Sequence, residues 1–516
     1  MKEIELKILV SAPQIPALRR RIAALGEAKP RTRRLRTIYL DTAEGGLAAA
    51  GHALRLRVEA RRWTQTVKTA REMRAGLSST EEINTPAPGG RVDLDALPPP
   101  IRETVLTATA GLPLAPVFET VVSRSTWMIA VEGARIEVAL DRGEIVAGER
   151  REGIDELELE LIEGPASALF EAARAMFPTG PLRFSTMNKA ARGQRVAAGQ
   201  AAVEAPAPRH AAKVEIGRKD TAEAAARAIL TECFLQVSSN IVAVGTGEDP
   251  EGPHQLRVGL RRLRSALQLF APVLAGKAGN PRFDTLLTEA RWLGREVGRL
   301  RDLDVAGTDL LAPAAKAIPR EPGFARLAEA TAARAAEERV RLRETLAGPR
   351  VTALLFDLAE YLSLRGWLDP ADHAQTARLA QPFCAVAATA AAKADRKAAK
   401  RAKNIATLEH EARHDLRKAL KALRYIIEFG APCWPEKRTK PLLKTLRALQ
   451  TLFGELNDAA MAEELFLAPD APAADDPLAA RAAGRLIGGA ERAADHAWEM
   501  AKTRWDGFAA TKRPWA

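Results

Sequence analysis

The spacing of apolar residues changes once along this chain, and that change demands two different architectures in tandem. Up to about residue 195, apolar and polar residues alternate with period two. Examples are Glu3-Ile4-Glu5-Leu6-Lys7-Ile8, Leu54-Arg55-Leu56-Arg57-Val58, Arg135-Ile136-Glu137-Val138-Ala139-Leu140-Asp141 and Glu156-Leu157-Glu158-Leu159-Glu160-Leu161. Such segments form strands with one buried face. Pro and Gly clusters at 86–90 and 97–100 predict loops, and amphipathic helices are expected at about 14–25 and 165–176. A Gly/Ala/Pro-rich stretch from Ala197 to Pro208 reads as a linker. From about 218 the chain is rich in Ala, Leu, Arg and Glu at helical spacing, as in Arg257, Arg261 and Arg264 beside Leu256, Leu260 and Leu263. Strand signals end there. The expected organisation is a strand-rich domain over 1–196, a linker over 197–212 and an all-helical domain over 213–512.

A chain of 516 residues is too long for one ordinary core, which agrees with this division. Its formal charge of +12 calls for an anionic partner. Only 5% of residues are aromatic, too few for base-stacking platforms, so nucleic acid is disfavoured and phosphate is favoured. Cys233, Cys384 and Cys433 lie far apart without CxxC spacing. They predict small core residues in a reducing compartment, not disulfides or a zinc site. The N-terminus opens directly on a strand pattern, and no uninterrupted apolar run approaches eighteen residues. A cytoplasmic protein with no membrane span is expected.

The helical half repeats itself. His254-Gln255-Leu256-Arg257 recurs 160 positions later as His414-Asp415-Leu416-Arg417, with Arg261 matched by Lys421 and Leu263-Arg264 by Leu423-Arg424. Gly298-Arg299-Leu300-Arg301-Asp302 is answered by Gly454-Glu455-Leu456-Asn457-Asp458 at an offset of 156. Two pseudo-repeated helical bundles, about 215–385 and 386–512, account for this.

The strand half sorts its charges. Residues i, i+2 and i+4 of a strand share a face, so Glu3, Glu5 and Lys7 point one way, as do Glu156, Glu158 and Glu160. Arg55 and Arg57 share a face, and Thr66 and Lys68 alternate around Val67. Each strand alone could be a solvated outer face. Together, carboxylate strands suit a hard divalent cation and Arg/Lys strands suit phosphate oxygens. A barrel with a polar interior could hold both.

These motifs resemble the CYTH family, the triphosphate tunnel metalloenzymes. Glu3-x-Glu5-x-Lys7 is followed in order by Ile38-Tyr39-Leu40-Asp41-Thr42, Leu54-Arg55-Leu56-Arg57 and Thr66-Val67-Lys68. Next come Arg124 before Trp127, Ile136 to Gly143, the Glu156/Glu158/Glu160 strand, and Lys189-Ala190-Ala191-Arg192-Gly193. The resemblance spans 1–195 and is greatest to bacterial inorganic triphosphatases. It implies an eight-stranded antiparallel β tunnel with flanking helices, and hence an α+β chain. Lys7, Arg55, Arg57, Lys68, Arg124 and Lys189 would bind triphosphate. Glu3, Glu5, Asp141, Glu158 and Glu160 would hold Mg²⁺ or Mn²⁺, with Glu137 and Glu156 in support. Glu3, Glu5, Lys7, Glu158 and Glu160 would form the catalytic set for cleavage of a phosphoanhydride. One departure is Thr80, which stands where the family often has Arg, beside Glu82.

In the helical half, His254, Arg257, Arg261 and Arg264 fall on one stripe at ~100° per residue, as do His414, Arg417, Lys421 and Arg424. Arg262, Lys418 and the cations between Lys393 and Lys403 widen the basic surface. No Cys lies near either His in sequence, which speaks against a zinc site. The pattern resembles the CHAD domain over about 215–510. That implies inorganic polyphosphate as ligand, contacts by those eight residues, and recruitment to polyphosphate granules. The competing expectation is a polyphosphate-binding or granule-organising protein whose barrel is weak, or specific for thiamine triphosphate or a nucleoside triphosphate; an adenylate cyclase is another reading within the fold.

Overall fold

The computed structural model describes residues 2–26, 29–276 and 279–515. The chain divides into two compact units, Met1–Ala207 with Leu346–Gly366, and Pro208–Thr345 with Trp367–Ala516.

In the first unit the alternating segments form β1 (Lys2–Leu9), β2 (Arg31–Asp41), β3 (Ala53–Glu59), β4 (Arg62–Arg74), β5 (Leu77–Pro86), β6 (Ala115–Val131), β7 (Ala134–Ala147), β8 (Arg150–Glu163) and the two-residue β9 (Arg183–Phe184). They pair antiparallel in the order β5-β4-β3-β2-β6-β7-β8-β1-β9, and β1 also pairs with β5. That last pairing closes eight strands into a barrel and removes the open edge a flat sheet would expose. β1 is the seam. It runs beside β5 through Lys2–Leu6 and beside β8 through Glu5–Leu9.

The helices of this unit are α1 (Ile15–Leu25), α2 (Gly46–Ala49), α3 (Pro99–Thr109), α4 (Ser167–Met176) and α5 (Lys189–Ala197). The proline run at 97–100, expected as loop, instead opens α3. Pro98 caps it and Pro99 and Pro100 fill its first turn, where a missing N–H and a fixed φ suit a helix start. Leu47 and Val105 of α2 and α3 pack on Leu40, Leu54, Leu56 and Val67 of the strands. Helix α5 lies across Tyr39, Phe118 and Ile145 through Val196. It comes so close that a Cβ at Gly193 would meet the Phe118 ring at 1.9 Å, so only glycine fits there.

The second unit carries α6 (Ala222–Thr246), α7 (Glu251–Leu274), α8 (Pro281–Val305), α9 (Ala312–Ala317) and α10 (Gly323–Ala347). After α11 (Pro349–Ser363), which belongs to the first unit, come α12 (Gln375–Leu379), α13 (Phe383–Arg401), α14 (His410–Gly430), α15 (Glu436–Phe466) and α16 (Pro477–Ala510). Helix α7 packs on α6 and α8, α14 packs on α13 and α15, and α7 and α14 touch. The repeated motifs thus occupy matching helices: the His-x-Leu-Arg elements on α7 and α14, the Gly-x-Leu-x-Asp elements on α8 and α15. Helix α6 has the length and apolar composition to cross a membrane, but most of its apolar stretch is buried among its neighbours.

Two features were not visible in the sequence. Helix α11 leaves the helical half and docks within the barrel unit. Arg174 of α4 pairs with Asp357 at 2.8 Å and Glu360 at 2.7 Å, Phe356 meets Phe184 edge-on, and Ser363 donates to the Arg74 carbonyl. Cys384 and Cys433 were expected as separate core thiols, yet they form a disulfide. The N-terminus of α13 and the turn after α14 meet in space, a proximity that the 49-residue spacing does not announce. Cys233 stays free and buried.

Candidate active site in the barrel and basic groove in the helical unit

Strand register decides which side chains meet inside the barrel. Glu5 pairs across from Glu160, and Lys7 from Glu158. Tyr39 pairs with Arg55, Ala53 with Lys68, Lys68 with Glu82, and Arg124 with Asp141. Glu3, Glu5, Lys7, Arg55, Arg57, Lys68, Arg124, Glu158, Glu160 and Lys189 all line one cavity of about 200 Å³. Tyr39, Thr80, Glu82, Asn84 and Asn188 line it too. No role for Tyr39, Asn84 or Asn188 was expected from the sequence. Asn84 could have been found two residues beyond Glu82, on the same strand face; Asn188 shows itself only as the cap of α5, accepting from the Ala191 amide.

The charges are ordered as a network. Glu158 Oε1 accepts from Lys7 Nζ at 2.7 Å and from Lys189 Nζ at 2.7 Å, while Oε2 meets Arg124 at 2.5 Å. Lys7 also reaches Glu5 at 2.9 Å. Lys68 bridges Glu3 at 2.6 Å and Glu82 at 2.5 Å. Arg55 holds the other side of Glu82 at 3.2 Å. Asp141 is fully buried and does not line the cavity. Its carboxylate takes two hydrogen bonds from Arg124, each 2.7 Å, and forms an ion pair with Lys189 at 2.8 Å. Glu156 lies equally deep, bonded to Lys189 at 2.8 Å. Glu137 faces Glu160 across the β7–β8 pair.

Burial works against every one of these charges, and the neighbours decide the outcome. Burial and the Glu5 carboxylate push Glu3 up to about 7, against the pull of Lys68. Burial, Glu5 and Glu137 push Glu160 up to about 7. Glu158 moves the other way: burial opposes its charge, but Lys189, Lys7 and Arg124 hold it well below the usual carboxylate range. Lys7 is raised by Glu158 and Glu5 in spite of its burial. Burial, Arg55 and Arg124 bring Arg57 down to about 10, the mark of a cation held among cations.

Two regions result. On one wall Glu3, Glu5 and Glu160 crowd negative charge; around Arg55, Arg57 and Arg124 the interior is positive. The carboxylate wall fits a divalent cation by its oxygen donors and by the mutual repulsion that a cation would relieve. Among the described residues no three acidic, His or Cys side chains are drawn together as ligands, because Lys7 and Lys68 stand among the carboxylates as counter-ions. Glu3, Glu5 and Glu160 would hold the ion; Asp141 and Glu158 are engaged by cations.

A second cavity, about 340 Å³, adjoins the first and shares Tyr39, Ala53, Lys68, Thr80, Asn188 and Ala190 with it. Its other walls include Leu40, Leu54, Phe118 and His52, whose Nδ1 is buried without a hydrogen-bond partner.

In the helical unit the two stripes converge where α7 meets α14. Burial and then Arg261, Arg417, Arg257 and Arg424 bring Lys421 down to about 6. Arg417 falls to about 10 through burial and Arg261. Arg264 is lowered by burial and by Arg291 and Arg261. The partners follow the repeat only approximately: Arg257 donates to Asp302 at 2.7 Å, and Arg417 donates at 2.9 Å to Asn457, one position before the matching Asp458. His254 is lowered by burial and Arg301, and His414 by burial and Lys418, so each sits in its own basic surroundings near the start of its helix.

Residues 1–194 match the CYTH domain family and residues 228–467 the CHAD domain family. The chain therefore belongs to the proteins that join a CYTH domain to a CHAD domain. Its N-terminal part is 32% identical over 197 residues to the inorganic triphosphatase of Haemophilus influenzae, covering 37% of this chain and 54% of that protein. The chain thus spans about half the length of this curated relative. The crystal structure of the CHAD domain from the plant Ricinus communis is 28% identical, with a TM-score of 0.50, covering 60% of this chain and 98% of that one.

Proposed function

We propose that this protein hydrolyses inorganic triphosphate to diphosphate and phosphate in the barrel, with Mg²⁺ or Mn²⁺, and that its helical unit binds inorganic polyphosphate. One observation carries the reading of the barrel: six cationic side chains and a separate carboxylate wall face the same 200 Å³ cavity. That arrangement suits a chain of phosphates carrying a metal ion better than it suits a neutral substrate. The Haemophilus relative and the CYTH match support the same reaction class, and the CYTH resemblance implies a divalent cation.

Phosphoryl transfer asks the protein for position and charge rather than covalent chemistry. Arg55, Arg57 and Arg124 offer planar donors to the phosphate oxygens, and Lys7 and Lys68 follow the charge along the chain. A divalent cation on the carboxylate wall would neutralise phosphate oxygens and favour ionisation of water. Water oxygen bonds to the terminal phosphorus as the bridging P–O bond breaks, and diphosphate leaves with the electron pair. The water proton passes to solvent or to a tunnel carboxylate that the ion leaves free. The proposed role of the helical unit rests on the Arg257/Arg261/Arg417/Lys421/Arg424 cluster, with granule association in the cytoplasm as its cellular consequence.

The second cavity favours a second reading. Apolar and aromatic walls beside a phosphate site could seat the organic group of a thiamine or nucleoside triphosphate. Phosphate release from triphosphate, ATP, thiamine triphosphate and long-chain polyphosphate, with Mg²⁺ or Mn²⁺, separates the two. Full activity in Glu5→Gln would sink the tunnel mechanism. For the helical unit, the full chain should retain polyphosphate in a salt-sensitive way that excess duplex DNA does not reverse.

A further inference from the structure

The motif that ends the barrel domain contains a charged residue that the proposed reaction does not use. Arg192, on α5 one turn beyond Lys189, is only 2% exposed and lines neither cavity. Its Nη2 donates to the Gly153 carbonyl at 3.2 Å, but Nε and Nη1 donate to no protein atom. Nη1 stands 3.6 Å from Glu156 Oε2, beyond hydrogen-bond reach. Glu156 has the matching deficit: Oε1 is buried and accepts from nothing, while Oε2 is bonded to Lys189.

An ammonium has three N–H donors; that of Lys189 donates to Glu156 at 2.8 Å and to Glu158 at 2.7 Å, and Asp141 stands 2.8 Å away as a third, ion-paired carboxylate. Three carboxylates thus compete with a phosphate for this ammonium, although Lys189 lines the cavity. Release of Glu156 would turn a hydrogen-bonded N–H over to substrate. Asp141 and Glu158 are each also tied to Arg124. Only Glu156 has a second cation waiting nearby with unused donors.

We propose that Arg192 is a positioning residue for substrate binding: it takes Glu156 from Lys189 when a phosphate arrives, so that the ammonium turns one N–H into the tunnel. A shift of roughly 1 Å brings Nη1 to hydrogen-bond distance of Glu156. The exchange leaves every buried charge paired at each stage, as a low-dielectric interior requires. This inference rests on the barrel being a phosphate-binding site.

The test uses the full chain, with two readouts: calorimetric binding of tripolyphosphate without divalent cation, and KM and kcat for phosphate release with Mg²⁺. In Arg192→Gln, Glu156 keeps Lys189, and tripolyphosphate binding weakens about ten- to a hundredfold, the worth of one charge-assisted hydrogen bond. KM rises correspondingly, with kcat changed less. Arg192→Lys restores part of the affinity. Glu156→Gln loosens the hold on Lys189, so its affinity equals or exceeds wild type. The double variant Arg192→Gln/Glu156→Gln follows Glu156→Gln. A purely structural pair would instead lower the melting temperature in both single variants and shift affinity in neither, or weaken it in both. Either result overturns the inference while leaving the barrel reading intact. If Arg192→Gln does not fold, weaker binding by Glu156→Gln alone overturns it. A wild type that neither binds nor cleaves tripolyphosphate overturns both.

Discussion

Lys7 and Glu158 are separated by 151 residues in sequence, and their Nζ and Oε1 atoms meet at 2.7 Å inside the barrel. The contact exists because β1 and β8 run antiparallel with these two residues in register. Glu158 then recruits Lys189 and Arg124 to the same carboxylate. One acidic side chain thereby gathers three cations.

Glu158→Gln removes that shared charge and leaves buried cations in mutual repulsion. Breaking one side of a buried ion pair costs about 3–5 kcal/mol, so a marked loss of melting temperature is expected. Tripolyphosphate, by replacing the missing negative charge, should raise the melting temperature of the variant more than that of wild type. Thermal unfolding with and without the ligand checks both.

The carboxylate wall makes the barrel pH-sensitive. Glu3 and Glu160 are held near 7 in the folded state, against 4.5 unfolded. Between about pH 4.5 and 7 the folded chain therefore binds more protons, and stability declines as pH rises through that window. Mn²⁺ or Mg²⁺ should reverse the decline, with metal affinity increasing towards pH 7 as protons leave. Melting curves from pH 4.5 to 8, with metal and with a chelator, test this; a flat profile without metal would contradict it.

Lys421 titrates near 6 because burial and four arginines disfavour its charge. A bound polyanion reverses that electrostatic environment. At pH 7–8 polyphosphate binding should draw a proton from the buffer, seen as a binding enthalpy that depends on the buffer's own ionisation heat. Lys421→Met should bind polyphosphate more weakly and lose that dependence.

Thr80 faces Glu3 across the β1–β5 seam and touches both cavities. Thr80→Arg adds a guanidinium beside the phosphate path and fills the passage between the cavities. KM for tripolyphosphate should fall about tenfold, while kcat/KM for ATP or thiamine triphosphate, if either is cleaved, should fall. Parallel kinetics on these substrates decide it.

Period-two patterning made the strands and their inward faces legible, because a strand fixes facing by parity alone. Glu3, Glu5 and Lys7 could be assigned to one side without knowing their neighbours. Depth was not legible. Asp141 and Glu158 obey the same parity as Glu160, yet only the cross-strand partners show that Asp141 lies behind the cavity under Arg124 and Lys189. Proline misled at 97–100, where the same residues that break a helix also begin one. The repeat in the helical half was readable from His254 and His414, because duplicated motifs signal duplicated structure. The Cys384–Cys433 bond and the return of α11 were not, since both depend on contacts between distant segments that local spacing does not encode.

Helix α11 also has a consequence in time. The strands of the barrel are complete long before residues 346–366 are made, yet those residues belong to its unit. Some 140 residues of helical chain must leave the ribosome in between, which at about 5–20 residues per second takes roughly 7–28 s. During that interval the newborn barrel lacks Phe356, Asp357 and Glu360, the α11 partners of Phe184 and Arg174. The barrel, made before the helical unit, is therefore the one that waits for its last piece.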